Sequence, residues 1–141
     1  MGMLKDKDKK ALAEVLKELT GQVNLVMFTQ EMECEYCQQT REMVEEIAAL
    51  SDKISAEVLD FVDDASQAKE FGVDKIPAIV VMGDKDYGIR FYGIPAGYEF
   101  STFIETILDV SRGEPGLPQN VVDELAKVDK PVHMQVMVTP T

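Results

Sequence analysis

Apolar positions along the 141-residue chain change their period several times, and each change marks a predicted element. Leu12, Val15, Leu16 and Leu19 recur at helical spacing before Gly21, so residues 5–20 are predicted to form an amphipathic helix. The run VNLVMFT, 23–29, is apolar almost throughout and reads as a buried strand. After a polar loop containing CEYC, the positions Met43, Val44, Ile47 and Ala48 return to helical spacing as far as Leu50, which puts the cysteines at the opening of a helix. ISAEVLDF, 54–61, predicts a second strand, and Asp63 or Asp64 then caps a short helix that runs through Phe71 and stops at Gly72. Pro77 heads the apolar run AIVVM, GDKDYG supplies turn residues, and GIRFYGI follows, so 78–94 is predicted to be an antiparallel hairpin. Phe100, Phe103, Ile104, Ile107 and Leu108 mark a closing helix.

Parallel strands joined by a helix, then a hairpin and a last helix, imply an α/β fold with a central mixed sheet flanked by helices. Residues 1–112 make one such unit with its leading helix, and the Gly- and Pro-rich GEPGLPQ, 113–119, reads as a linker. Beyond it, DELAKVDKPVHMQVMVT at 123–139 can be laid without gaps on AEVLKELTGQVNLVMFT at 13–29. Glu14, Lys17, Val26, Met27 and Thr29 then fall on Glu124, Lys127, Val136, Met137 and Thr139. Residues 120–141 are therefore read as the helix and strand that open a second, truncated unit. A lone strand there would leave its backbone edge and an apolar face unmet, so it is expected to pack on the first unit or to join two chains into a homodimer.

Charge narrows the class of partner. The 26 acidic against 14 basic residues give a formal net charge of -12, which repels nucleic-acid phosphates and anionic membrane surfaces, so neither is an expected partner. The start, MGMLKDKDKK, lacks the apolar stretch of a secretion signal, and the expected location is cytoplasmic. In that compartment ordinary thiols stay reduced, and both cysteines of the chain sit in one C-x-x-C, Cys34 and Cys37.

Disulfide exchange needs a thiolate to attack, a second thiol to resolve the mixed disulfide, and a geometry in which the pair can close on itself. C-x-x-C at a helix start supplies these, with Cys34 as the attacking and Cys37 as the resolving thiol. Glu31, Glu33 and Glu35 work against the helix start by placing negative charge around that thiolate. The same motif can be half of a zinc site, but the chain has no third cysteine and its one histidine is His133, so no intrachain metal and no cofactor is expected. Pro77 at the head of a buried strand reads either as an ordinary strand-opening proline or as a residue that, with Ile76, turns polar backbone toward the cysteines for a substrate strand to pair with. Tyr36 either borders a substrate groove or simply covers the helix start.

Strand, CEYC, helix, strand, helix, IPA, hairpin and helix over residues 23–112 resemble the thioredoxin/glutaredoxin superfamily. With FYGIPAGYEF at 91–100 and the leading helix, the chain is similar to the amino-terminal unit of glutaredoxin-like protein disulfide oxidoreductases, which carry two thioredoxin-fold units. The resemblance implies a thioredoxin-like fold, a cis Pro77, and a VTPT segment, 138–141, of the kind that precedes the second unit's own C-x-x-C. It also implies protein disulfides or dithiols as substrates, with a reductase or the companion unit as electron donor. Two positions depart from the pattern: Glu35 stands where glutaredoxins carry proline, and Glu33 where many thioredoxin motifs carry tryptophan, so potential and partner choice do not transfer. Two other readings stay open, a docking module without catalysis and a metal or cluster shared across a dimer.

Overall fold

The computed structural model describes residues 2–139; Met1, and the Pro140 and Thr141 that complete VTPT, lie outside the described residues. The elements are α1 (Asp6–Leu16), β1 (Val23–Thr29), α2 (Cys37–Ala48), β2 (Ile54–Asp60), α3 (Ala65–Glu70), β3 (Ala78–Met82), β4 (Asp86–Tyr92), α4 (Tyr98–Arg112) and α5 (Gln119–Leu125). The sheet order is β2-β1-β3-β4. β1 runs parallel to β2, with Thr29 opposite Asp60, and antiparallel to β3, with Phe28 opposite Ala78. β4 returns antiparallel to β3, placing Tyr92 opposite Ala78. This is the expected mixed sheet, with helices against both faces.

The pleat explains why β1 is apolar throughout. Its odd positions Leu25 and Met27 join Ile79, Val81 and Phe91 in a layer packed with Leu16 of α1, Val44 and Ile47 of α2, and Phe103 and Ile107 of α4. Its even positions Val26 and Phe28 join Val80 on the other face, against Ala68 of α3 and Val73. Two aromatic edges fix the layers, Phe91 on Phe103 at 5.1 Å between ring centres and Phe28 on Phe71 at 6.0 Å.

Several boundaries differ from those expected. α1 stops at Leu16, and the chain tightens through Lys17, Glu18 and Leu19 amides that donate three residues back, keeping Leu19 buried while freeing Thr20 and Gly21 for a distant partner. That partner is Ser111 near the end of α4: its Oγ accepts from the amides of Thr20 (2.9 Å) and Gly21 (2.8 Å) and donates to the Gly21 carbonyl (2.9 Å). A Cβ on Gly21 would come within 2.6 Å of the Ser111 carbonyl oxygen, so glycine is required there for close approach and not for ending the helix, which stops at Leu16. Asp64 occupies the position before α3, but its carboxylate accepts from the Asp60 amide (2.8 Å) instead of capping the helix. Closing the turn after β2 competes for the side chain and wins.

The largest correction concerns the tail. α5 forms, yet residues 130–139 adopt no strand, and none of the described residues 113–139 is buried. Val132, Met134 and Val136 are 69%, 85% and 86% exposed, so the segment does not pack on the first unit. A helix satisfies its hydrogen bonds internally, whereas a strand needs a neighbour, and none is beside it.

The Ser111 hydroxyl uses its donor and both acceptor sites, so its removal strands two backbone amides in a half-buried place. Ser111→Ala is expected to lower the unfolding free energy by about 2 kcal/mol with an unchanged denaturant slope, read by urea titration.

Candidate active site

β1 delivers the chain at Thr29, whose carbonyl is held by the Phe61 amide (2.9 Å). Residues 30–36 must then turn the chain into α2. Glu33 takes a left-handed backbone conformation, φ 57°, which few residues other than glycine adopt readily, and Gln30 Nε2 donates to the Met32 carbonyl at 2.6 Å. The Tyr36 carbonyl accepts from both the amide (3.0 Å) and the Oγ1 (2.6 Å) of Thr40, a fully buried side chain. These contacts fix the entry to α2 from below.

Cys34 and Cys37 are joined as a disulfide with their Cα atoms 5.5 Å apart. Cys37, not Cys34, opens α2, which corrects the expectation that both lie on the helix. The left-handed step at Glu33 and the turn at Glu35–Tyr36 hold Cys34 ahead of the helix, beyond the amides of its first turn that have no partner within the helix. Cys37 is only 2% exposed, while Cys34 is partly open to solvent.

The antiparallel course of β3 places its entry at the sheet end from which the cysteine loop leaves. The Ile76–Pro77 peptide there is cis. Pro77 is buried and its carbonyl accepts from the Gly93 amide (2.9 Å). Ile76 is partly buried, and among the described residues neither its N–H nor its C=O has a hydrogen-bond partner. Tyr36 is exposed in the cysteine loop; it is its carbonyl, not its ring, that holds the helix start. Glu33 and Glu35 flank Cys34 in the chain and both are exposed.

Lys75, beside Ile76, is turned away from these carboxylates. Its ammonium pairs with Asp74 at 2.8 Å and lies 5.2 Å from the centre of the Tyr92 ring. Their hydrogen bond lowers the Asp74 pKa and raises that of Lys75. Both are open to water, where such a pair contributes little to stability. Among the described residues no group of three or more His, Cys, Asp or Glu is placed to hold a metal ion, and His133 lies in the exposed tail. Thr40 went unnoticed as a site residue. Its signal was a polar residue sharing the buried helix face of Cys37, Val44 and Ile47, where a hydroxyl finds a carbonyl four residues back.

Residues 22–105 match the thioredoxin domain family. A protein named NADH dehydrogenase in Bacillus subtilis is 29% identical over 99 residues, covering 70% of this chain and 17% of that protein. The structure of a protein disulfide oxidoreductase from Aeropyrum pernix superposes with a TM-score of 0.81 at 24% identity, over 87% of this chain and 54% of the other. The NTD_N/C domain of alkylhydroperoxide reductase AhpF from Enterococcus faecalis superposes at 0.70 with 25% identity, over 82% and 55% of the two chains. The chain thus spans about half of these structures and under a fifth of that curated relative.

The difference in burial carries a direct chemical expectation. After reduction, iodoacetamide should modify Cys34 at least about tenfold faster than Cys37, as mapped by mass spectrometry of timed digests. Equal labelling would contradict the arrangement.

Proposed function

The chain belongs to the thioredoxin domain family, and we propose that it is a dithiol/disulfide oxidoreductase unit in which Cys34 exchanges electrons with protein disulfides while Cys37 resolves the intermediate. The observation that carries this reading is the closed Cys34–Cys37 pair, with Cys34 partly open to solvent and Cys37 buried. In the reducing direction, the Cys34 thiolate attacks one sulfur of a partner disulfide, and the other partner sulfur leaves as a thiolate. Cys37, losing its proton, then attacks Cys34 in the mixed disulfide, releases the second partner sulfur and closes the pair. Two electrons pass from the protein to its partner, and the reverse sequence oxidises a dithiol.

The free N–H and C=O of Ile76 support a role in aligning the partner, because an extended segment can pair with them while its sulfur meets Cys34. Pro77 sets the direction in which that edge faces, and Tyr36 borders the approach. Glu33 and Glu35 oppose ionisation of Cys34 by like charge. A reductase or a companion unit restores the dithiol; the greater length of the similar oxidoreductase and reductase structures supports such an arrangement. We place this chemistry in the cytoplasm, where a reduced thiol pool keeps an exchange pair in use.

We further propose that 120–139 is the opening of a second unit, supported by its alignment with 13–29 and its solvent-facing apolar residues. On this proposal, that surface joins two molecules through their tails.

Two experiments test these proposals. Reduction of insulin by the wild-type protein should be lost in Cys34→Ser, while Cys37→Ser should accumulate a mixed disulfide through Cys34. Wild-type protein that fails to reduce insulin would leave only a docking module, and full activity in Cys34→Ser would overturn the role given to Cys34. Ending the chain at Gly116 should turn a dimer into a monomer in light scattering and leave exchange intact, since no buried residue lies in the part removed; a monomer before and after trimming rules the tail dimer out.

A further inference from the structure

Charge is unequally divided between the two ends of the sheet. The loops at the end that carries the cysteines, 30–36, 61–64, 71–77 and 93–97, hold Glu31, Glu33, Glu35, Asp63, Asp64 and Asp74 against the single cation Lys75. The loops at the opposite end, 17–22, 49–53, 83–85 and 113–118, hold Glu18, Asp52, Asp84 and Glu114 against Lys17, Lys53 and Lys85. The general acidity of the chain therefore does not by itself explain the excess, because four acids against three bases stand at one end of the sheet and six against one at the other. Among the described residues, the side chains of Glu31, Glu33, Glu35 and Asp63 have neither an ion pair nor a hydrogen bond, and Lys75 is already occupied by Asp74.

Large apolar side chains stand out of the same end. Met32 in the cysteine loop is 75% exposed, Val62 after β2 is 64% exposed, and Tyr98 at the start of α4 is 83% exposed. β1 and β2 are parallel and β4 runs with them, so all of these positions leave the sheet on the side of Cys34. Thioether and aromatic groups offer adaptable contact area that gains by being covered.

We propose that the physiological disulfide partner of this site presents a cationic segment with apolar residues next to its reacting sulfurs. The inference rests on the exchange reading above and adds the class of partner. In the mixed disulfide the partner backbone is covalently tied to Cys34, which brings its flanking charges to within about a screening length of the acidic loops. An anionic partner is repelled both on approach and in that intermediate. A cationic partner is steered to the end of the sheet where unpaired carboxylates are concentrated, and its apolar residues cover Met32, Val62 and Tyr98.

The test uses the full chain in its reduced form and three disulfide-linked peptides, identical except that lysines, glutamines or glutamates flank the cysteine, each with a leucine beside it. Exchange rates are normalised to those given by dithiothreitol, which removes the effect of peptide charge on thiol reactivity itself. The lysine peptide should react faster than the glutamate peptide by about tenfold at low salt, with the ratio falling toward one near 0.5 M salt, and the glutamine peptide lying between. In the Glu31→Gln/Asp63→Asn variant the low-salt ratio should shrink; as a ratio within one protein it is insensitive to altered thiolate reactivity. Equal normalised rates at low salt, or a ratio that salt does not change, would overturn the cationic partner while leaving exchange established. Failure to reduce any of the peptides, with Cys34→Ser indistinguishable from wild type, would instead overturn the exchange reading and the partner class with it.

Discussion

β3 pairs with β1 in the antiparallel sense while β2 pairs with it in the parallel sense, and the placement of the whole site follows from that difference. β1 and β3 each have a neighbour on both edges and are covered on both faces, so their pairing is fixed by burial before any functional residue is considered. Once the direction of β1 is set, the cysteine loop must leave at its far end. Reversal of β3 brings Ile76 and Pro77 into the sheet at that same end, with Ala78 beside Phe28. Had β3 run parallel, the unpaired backbone of Ile76 would lie at the opposite edge, out of reach of anything bonded to Cys34. A β1–β3 register slip of a single residue would turn Ile79 and Val81 away from the layer they share with Phe103. Packing energy thus holds the relation between two pieces of chemistry that lie far apart in sequence.

We propose that opposing fields set the reactivity of Cys34. The first-turn amides of α2 face back toward the cysteine loop and favour a thiolate, although Cys34 stands just outside the helix. Exposed carboxylates on either side of it in the chain disfavour that thiolate, weakened by water between them. A group held on a rigid helix start feels its dipole in a constant direction, and here the rigidity comes from Thr40 beneath the loop. The carboxylates have a second effect that the dipole lacks, because they extend beyond the sulfur to whatever approaches it. Charges that slow ionisation also select the partner, so the same residues trade intrinsic reactivity for discrimination.

The order of elements, the mixed sheet and the cysteine pair were legible in the sequence because each has a local signature: helical or strand periodicity, turn residues, and C-x-x-C. What was not legible depends on long-range contacts. Nothing around Leu16 says that α1 must stop there; the reason is Ser111, on the last helix of the unit, which takes the Thr20 and Gly21 amides. Gly21 was read as the stop of α1, which ends at Leu16; the constraint on Gly21 is the Ser111 carbonyl against the space a Cβ would need. The helix start shifted from Cys34 to Cys37 because the left-handed conformation falls on Glu33, a residue whose type does not announce it. Asp64 shows the same limit in miniature, since a good capping residue chose the amide of Asp60 when the turn offered it. The division of charge between the sheet ends needed the topology, because the acids that share one end come from separate loops.

The tail isolates the difference between a pattern and a structure. Residues 133–139 match the sequence of β1, and α5 lies where the helix before that strand is expected, yet α5 forms and the strand does not. In the first unit, β1 has β2 on one edge, β3 on the other, and an apolar layer on each face. Its burial, not its propensity, is what makes it a strand. Val132, Met134, Val136 and Met137 are exposed to solvent, and the segment that carries them joins no ladder. Pairing between two tails, as proposed, would supply one edge and part of one face, which falls short of the environment of β1. A central-strand sequence is matched fully only by strands on both sides and layers on both faces, so the tail fits best as one part of a second sheet of the same kind.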